Sequence, residues 1–91
     1  MKKNPKTRAR NNSDLLKRIT VQPGVLVGKP TIRGMRISVE QVLHLLSEGM
    51  TAKDILREFP VLEEEDIRAA IAYAHEVLST EKVYRVGSHS G

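Results

Sequence analysis

The fold class this chain predicts is mainly α, with a short β-hairpin layer followed by a three-helix, helix-turn-helix unit of homeodomain-like type. Two observations carry it. Three helix starts each come with a hydrophobic staple, two of them also with a side-chain cap, and a glycine–arginine reversal, Arg33-Gly34-Met35-Arg36, lies directly ahead of the first. The chain has 91 residues, which is room for one small domain at most.

Residues 1–18 hold seven basic groups against one acidic group. The stretch is polar, contains a proline and has few apolar residues, so it reads as a basic, flexible N-terminal arm. Asp14 to Arg18 is expected to form at most a turn of helix leading into the domain. The domain proper is expected over residues 19–84, and residues 85–91 as a flexible C-terminal tail.

Ile19-Thr20-Val21 is a β-like run closed by Pro23-Gly24, and Val25-Leu26-Val27 is a second one closed by Gly28. Thr31-Ile32 and Arg36-Ile37 flank a tight reversal in which Gly34 takes positive φ without steric cost. The first helix starts at Ser38, a cap, with Gln41 three residues on and Ile37 stapled to Val42. Val39, Val42, Leu43 and Leu46 form its apolar stripe, and Gly49 ends it as a left-handed cap. The second helix repeats the device, with Thr51 as cap, Asp54 at the third helical position and Met50 stapled to Ile55. Pro60 stops it. The third helix starts near Glu63, a poorer cap than Ser, Thr or Asp, and runs to about Ser79. Its expected inner face is Ile67, Ala70, Ile71, Ala74, Val77 and Leu78. The connection of about four residues ahead of it matches a helix-turn-helix joint, but short joints also occur in bundles that bind no DNA.

Composition excludes several classes. Cysteine is absent, so there is no disulfide framework and no thiolate metal site. Met1-Lys2-Lys3 is not followed by an apolar signal core, and the apolar runs are too short to span a membrane, so a cytoplasmic location is expected. The segment from Gly24 to Lys29 misses a phosphate-binding loop by one residue, and Pro30 stands where the magnesium-binding hydroxyl belongs. His44, His75 and His89 share no metal-ligand spacing and read as surface residues. Three aromatic residues in all are too few for a base-stacking platform. No cofactor, metal or catalytic constellation is expected, and the protein reads as a binding protein, not an enzyme.

The motifs Gly28-Lys29-Pro30 through Arg36-Ile37-Ser38, Glu48-Gly49-Met50-Thr51, Phe59-Pro60-Val61-Leu62, Glu65-Asp66-Ile67 and Ala69 to Ala74 resemble a bacterial family. It is domain-of-unknown-function family four hundred thirty-three, grouped with VapB-type antitoxins, and the resemblance spans about Ile19 to Tyr84. It implies a homeodomain-like helical fold and pairing with a PIN-like toxin nuclease encoded alongside. Met35 stands where the family usually has threonine, and Glu63 where it has a capping hydroxyl.

Two groups of residues are candidates for binding. Lys2, Lys3, Lys6, Arg8 and Arg10 form an arm able to track phosphates or enter a minor groove, which makes operator DNA an expected partner; the alternative is a solvated tail. Lys29, Arg33 and Arg36 are the basic cluster of the body. Their arginine forks suit phosphate or the carboxylate-rich site of a PIN-like nuclease, or else they pair with Glu40 or Glu48. Glu63, Glu64, Glu65 and Asp66 would repel phosphates at the start of the third helix and read as dipole compensation. The function expected is an antitoxin that neutralises a PIN-like nuclease and represses its own operon as a homodimer. The alternatives are a standalone helix-turn-helix regulator and a protein-binding adaptor.

Overall fold

The computed structural model describes residues 12–80. The elements run α1 (Asn12–Leu16), β1 (Ile19–Val21), β2 (Pro30–Ile32), α2 (Val39–Ser47), α3 (Ala52–Glu58) and α4 (Glu64–Thr80). Among the described residues the fold is mainly helical, with four helices and one small antiparallel hairpin. The arm residues Lys2, Lys3, Lys6, Arg8 and Arg10 and the tail 85–91 lie outside the described residues.

The hairpin pairs Ile19 with Ile32, Thr20 with Thr31 and Val21 with Pro30. The register is set by burial: Ile32 and Thr31 are buried in the interior while Val21 is exposed. The Thr20 and Thr31 hydroxyls meet across the strands at 3.1 Å, and Thr20 Oγ1 also accepts the Gly34 N–H at 2.9 Å. β2 then turns back on itself. Its Ile32 accepts from Met35 N–H at 2.8 Å and donates to Ile37 C=O at 3.0 Å. Arg33 and Gly34 have φ of 46° and 74°. Two successive positive φ values closed by that bond make a turn of the type I′ hand, the one matched to strand twist.

Val25-Leu26-Val27, expected to be a strand, is not one. Leu26, Val27 and Gly28 all have positive φ, and the segment is a single tight turn over Leu26–Gly28. The Pro23-Gly24 reversal is closed by Val25 N–H donating to Gln22 C=O, and the second run spends its length returning the chain to β2. It therefore has no room to add a strand.

The cap signals of the helices are realised. Ser38 Oγ accepts the Gln41 N–H at 2.9 Å. Thr51 and Asp54 form a reciprocal capping box, and the two Thr51 hydrogen bonds hold the Asp54 carboxyl below its usual range. Gly49 takes φ of 98° after the C-terminus of α2 and donates to Leu46 C=O. α3 is joined to α4 by residues 59–63, five residues where about four were expected.

The core is built by Ile32, Val39, Val42, Ile55, Leu62, Ile67 and Ala70, with Met35, Leu43, Phe59 and Tyr73 packed around it. A second cluster joins Leu15 of α1 to Ala69 and Ala72 of α4. A five-residue helix is far too short to persist alone, so α1 exists because Leu15, 4% exposed, docks on α4. Residues 1–18 were read as the basic arm; of these, Leu15 and Leu16 pack on the body and Arg18 reaches Asp66. Ile71 and Leu78, expected inside, are 49% and 62% exposed. Ile71 lies about 100° round the helix from buried Ala70, on a side that no element covers fully, and Leu78 lies near the end of α4. No helix among the described residues is long and apolar enough to cross a membrane.

Candidate functional site

Among the described residues the densest polar chemistry gathers on Asp66, the third residue of α4. Its side chain is fully buried. Oδ1 accepts from Arg18 Nη1 at 2.9 Å and from Arg33 Nε at 2.9 Å. Oδ2 accepts from Arg33 Nη2 at 2.7 Å and from the Glu63 backbone N–H at 2.7 Å. A carboxylate has about four lone-pair sites, and all four are used. Arg33 spends its remaining reach on Val61 C=O at 3.1 Å, and Arg18 Nη1 also meets Glu63 Oε1 at 2.9 Å.

Each partner comes from a different part of the fold. Arg18 follows α1, Arg33 sits in the hairpin turn, and Glu63 and Val61 belong to the loop before α4. Asp66 therefore fastens three segments to one helix N-terminus, where the helix dipole also favours its charge. Burial alone would push its carboxyl up, but hydrogen bonds from Arg33, the Glu63 N–H and Arg18 outweigh this and hold it below the ordinary value. The same contacts hold both guanidinium groups above theirs, Arg18 through Glu63 first and Arg33 through Asp66.

Arg33 adopts left-handed backbone, which costs a non-glycine residue roughly 1–2 kcal/mol. Its N–H donates to Arg18 C=O at 2.7 Å, and its fork on Asp66 holds the turn. Arg33→Ala loses the fork and keeps the strain, whereas Arg33→Gly loses the fork and sheds the strain. Arg33→Gly is therefore expected to be more stable than Arg33→Ala by about 1 kcal/mol. Urea unfolding midpoints of the two variants check this; equal midpoints would mean the turn holds no strain.

The three basic candidates of the body thus part company. Arg33 is committed to Asp66, not to Glu40 or Glu48. Lys29 pairs with Glu40 at 3.1 Å, both exposed, a contact of the kind worth about 0–1 kcal/mol. Arg36 is exposed and has no ion pair among the described residues. Glu48 pairs with His44 instead, at 3.2 Å. His44 and His75 are both exposed, and His89 lies outside the described residues. Among the described residues no group of three or more His, Asp or Glu is arranged to hold a metal ion.

Asp66 was read only as part of an acidic helix start. One signal distinguishes it from Glu64 and Glu65: it lies four residues after Leu62 and four before Ala70, on the apolar stripe of α4. A carboxylate on a core stripe requires buried donors, and the two arginines near the hairpin are the candidates.

Fold and site together define a small hairpin-plus-helices domain in which, among the described residues, the buried polar groups serve architecture and the remaining cations face outward. The chain belongs to the family described as "Protein of unknown function (DUF433)", whose model matches residues 19–74. It is similar to the uncharacterized protein y4eO of Sinorhizobium fredii, with 36% identity over 56 residues. That match covers 62% of this chain and only 25% of the relative, so the chain spans about a quarter of that protein's length. Among solved structures it resembles a DUF433 member protein from Anabaena variabilis, at 33% identity and a TM-score of 0.63. The overlap covers 70% of this chain and 63% of the other.

Proposed function

We propose that this protein is an antitoxin that neutralises a PIN-like nuclease by direct contact. Arg36 is the residue proposed to reach the nuclease's carboxylates. The observation that carries the reading is the division of labour among the three arginines between α1 and α2, namely Arg18, Arg33 and Arg36. Arg18 and Arg33 are spent on Asp66, whereas Arg36 stands exposed at the end of the hairpin turn with its charge unpaired among the described residues. A planar guanidinium offers a bidentate fork to a carboxylate, and a cation set among metal-binding carboxylates would displace the metal that such a nuclease needs. The family resemblance supplies the class of partner.

DNA binding is proposed for the arm, through Lys2, Lys3, Lys6, Arg8 and Arg10. The acidic start of α4 does not favour a major-groove role for that helix: Glu63 and Glu64 are exposed and would face phosphates. Contacts by the arm alone would depend steeply on salt and weakly on sequence.

Growth rescue tests the neutralising role. Cells expressing the neighbouring nuclease are expected to grow when the wild-type chain is co-expressed and to stop growing when Arg36→Glu replaces it at equal protein level. Full rescue by Arg36→Glu would remove Arg36 from the interface.

A further inference from the structure

Beside the contact of α1 with α4 lies a groove of about 380 Å³. Leu15, Ile71 and Ala72 are its apolar part, and Arg68 and His75 its polar sides. It exists because α1 is only five residues long. Leu15 covers Ala69 and Ala72, but the next strip of α4 stays open, and Ile71 on it is 49% exposed. Arg68, Ile71 and His75 follow at intervals of three and four residues, so they share one face of the helix.

Neither polar side is satisfied from within. Arg18, Arg33 and Arg57 each have a carboxylate partner. Arg68 is exposed and has no ion pair among the described residues, not even with Glu64 one turn earlier. Among the same residues His75 meets only the Ser79 hydroxyl, at 3.5 Å. An unpaired surface arginine alone would be ordinary; this one borders an apolar strip that is half open.

We propose that the groove takes an acidic amphipathic helix of a partner protein, with an apolar side chain on Ile71 and Leu15 and a carboxylate on the Arg68 fork. Helices docked in grooves are held by anchors spaced three, four and seven residues apart. The antiparallel complement of Arg68, Ile71 and His75 is the pattern Glu-x-x-x-Leu-x-x-Glu. Charge selects the occupant. Residues 1–11 carry Lys2, Lys3, Lys6, Arg8 and Arg10 and no acid, so the arm would oppose Arg68 with like charge. A second copy crossing antiparallel at Ile71 would set Arg68 of each against His75 of the other and supply neither with a carboxylate. A nucleic acid would give Ile71 no apolar partner and would meet the exposed Glu64 and Glu76 of the same helix.

So small a surface binds weakly, with Kd on the order of 10–1000 µM. The probe is a synthetic helical peptide with Glu-x-x-x-Leu-x-x-Glu on one face, titrated into the isotope-labelled full chain to about 2 mM. The amides of Leu15 and of residues 68–75 are expected to shift. Glutamine in place of both glutamates should weaken binding several-fold. Arg68→Glu should lose the acidic peptide and gain its lysine counterpart. Ile71→Asp should lose both, with an unchanged circular dichroism spectrum, because the side chain is half exposed in the single copy. Arg36→Glu should leave the affinity as it is, so this surface stands or falls apart from the nuclease contact. No shifts at the highest peptide concentration, equal affinity for the glutamate and glutamine peptides, or indifference to Arg68→Glu overturns the proposal. The same amides shifting when the chain alone is concentrated, or when duplex DNA is added, would assign the groove to those occupants and overturn it equally.

Discussion

Replacing Asp66 by asparagine is expected to lower the stability of the chain by about 3 kcal/mol, the low end for removing one partner of a buried ion pair. The amide keeps the shape but withdraws the charge that two guanidinium groups share, and it offers one acceptor oxygen where two held four donors. The low end applies because the side chains of Arg18 and Arg33 are 26% and 36% exposed and can turn to water. For a domain of this size the thermal midpoint should fall by roughly 15 °C. The pH dependence has a definite sign. The Asp66 carboxyl is held below its ordinary value in the folded chain, so its contribution is present in full above the unfolded value of about 4. It is lost as the pH falls through the lower folded value. Thermal midpoints of the wild type should therefore drop steeply on acidification below about pH 4, and Asp66→Asn should flatten that part of the profile. An asparagine variant that melts with the wild type and keeps its acid limb would show that the cluster contributes nothing.

Ile55→Ala is expected to cost about 3–4 kcal/mol, within the range for truncating a buried isoleucine. Ile55 is fully buried and is the one buried residue of α3, a helix of seven residues. A helix that short has no stability of its own. It is held by the capping box at Thr51 and by Ile55 inserted among Val42, Leu62 and Ile67 of the core. The truncation leaves a cavity and also removes the anchor of α3, so amide exchange along residues 52–58 should accelerate more than along α4. Uniform acceleration would mean that α3 and α4 open as one unit.

The local devices were legible in the sequence. Ser38, Gly49, Thr51 and Asp54 act through contacts within three or four residues, which is the range that periodicity and capping patterns report. Gly34 likewise occupies the left-handed position that its reversal requires. What depended on distant partners was not legible in full. The second apolar run became a turn because β1 already pairs with β2. A turn of helix was expected near Asp14 to Arg18, but not its docking, because Leu15 packs on Ala69 and Ala72 more than fifty positions away. Arg33 looked like a free binding group because its partner, Asp66, is thirty-three residues on. Leu78 fits the apolar period, but the unequal lengths of α2 and α4 decide where the cover ends, and Ile71 lies on a side of α4 that no element covers fully. Arg36 was grouped with Lys29 and Arg33 in the sequence, and only the fold separates it from them, by giving Arg33 to Asp66 and Lys29 to Glu40.

We propose that this chain holds a PIN-like nuclease through the exposed Arg36. Affinity capture of the proposed PIN-like nuclease tests it most directly, with the tagged chain as bait and Asp66-intact Arg36→Glu as the matched control. The expected result is stoichiometric recovery with the wild type, and loss with Arg36→Glu while its melting curve is unchanged. No recovery with the wild type, or equal recovery with both baits, would contradict it.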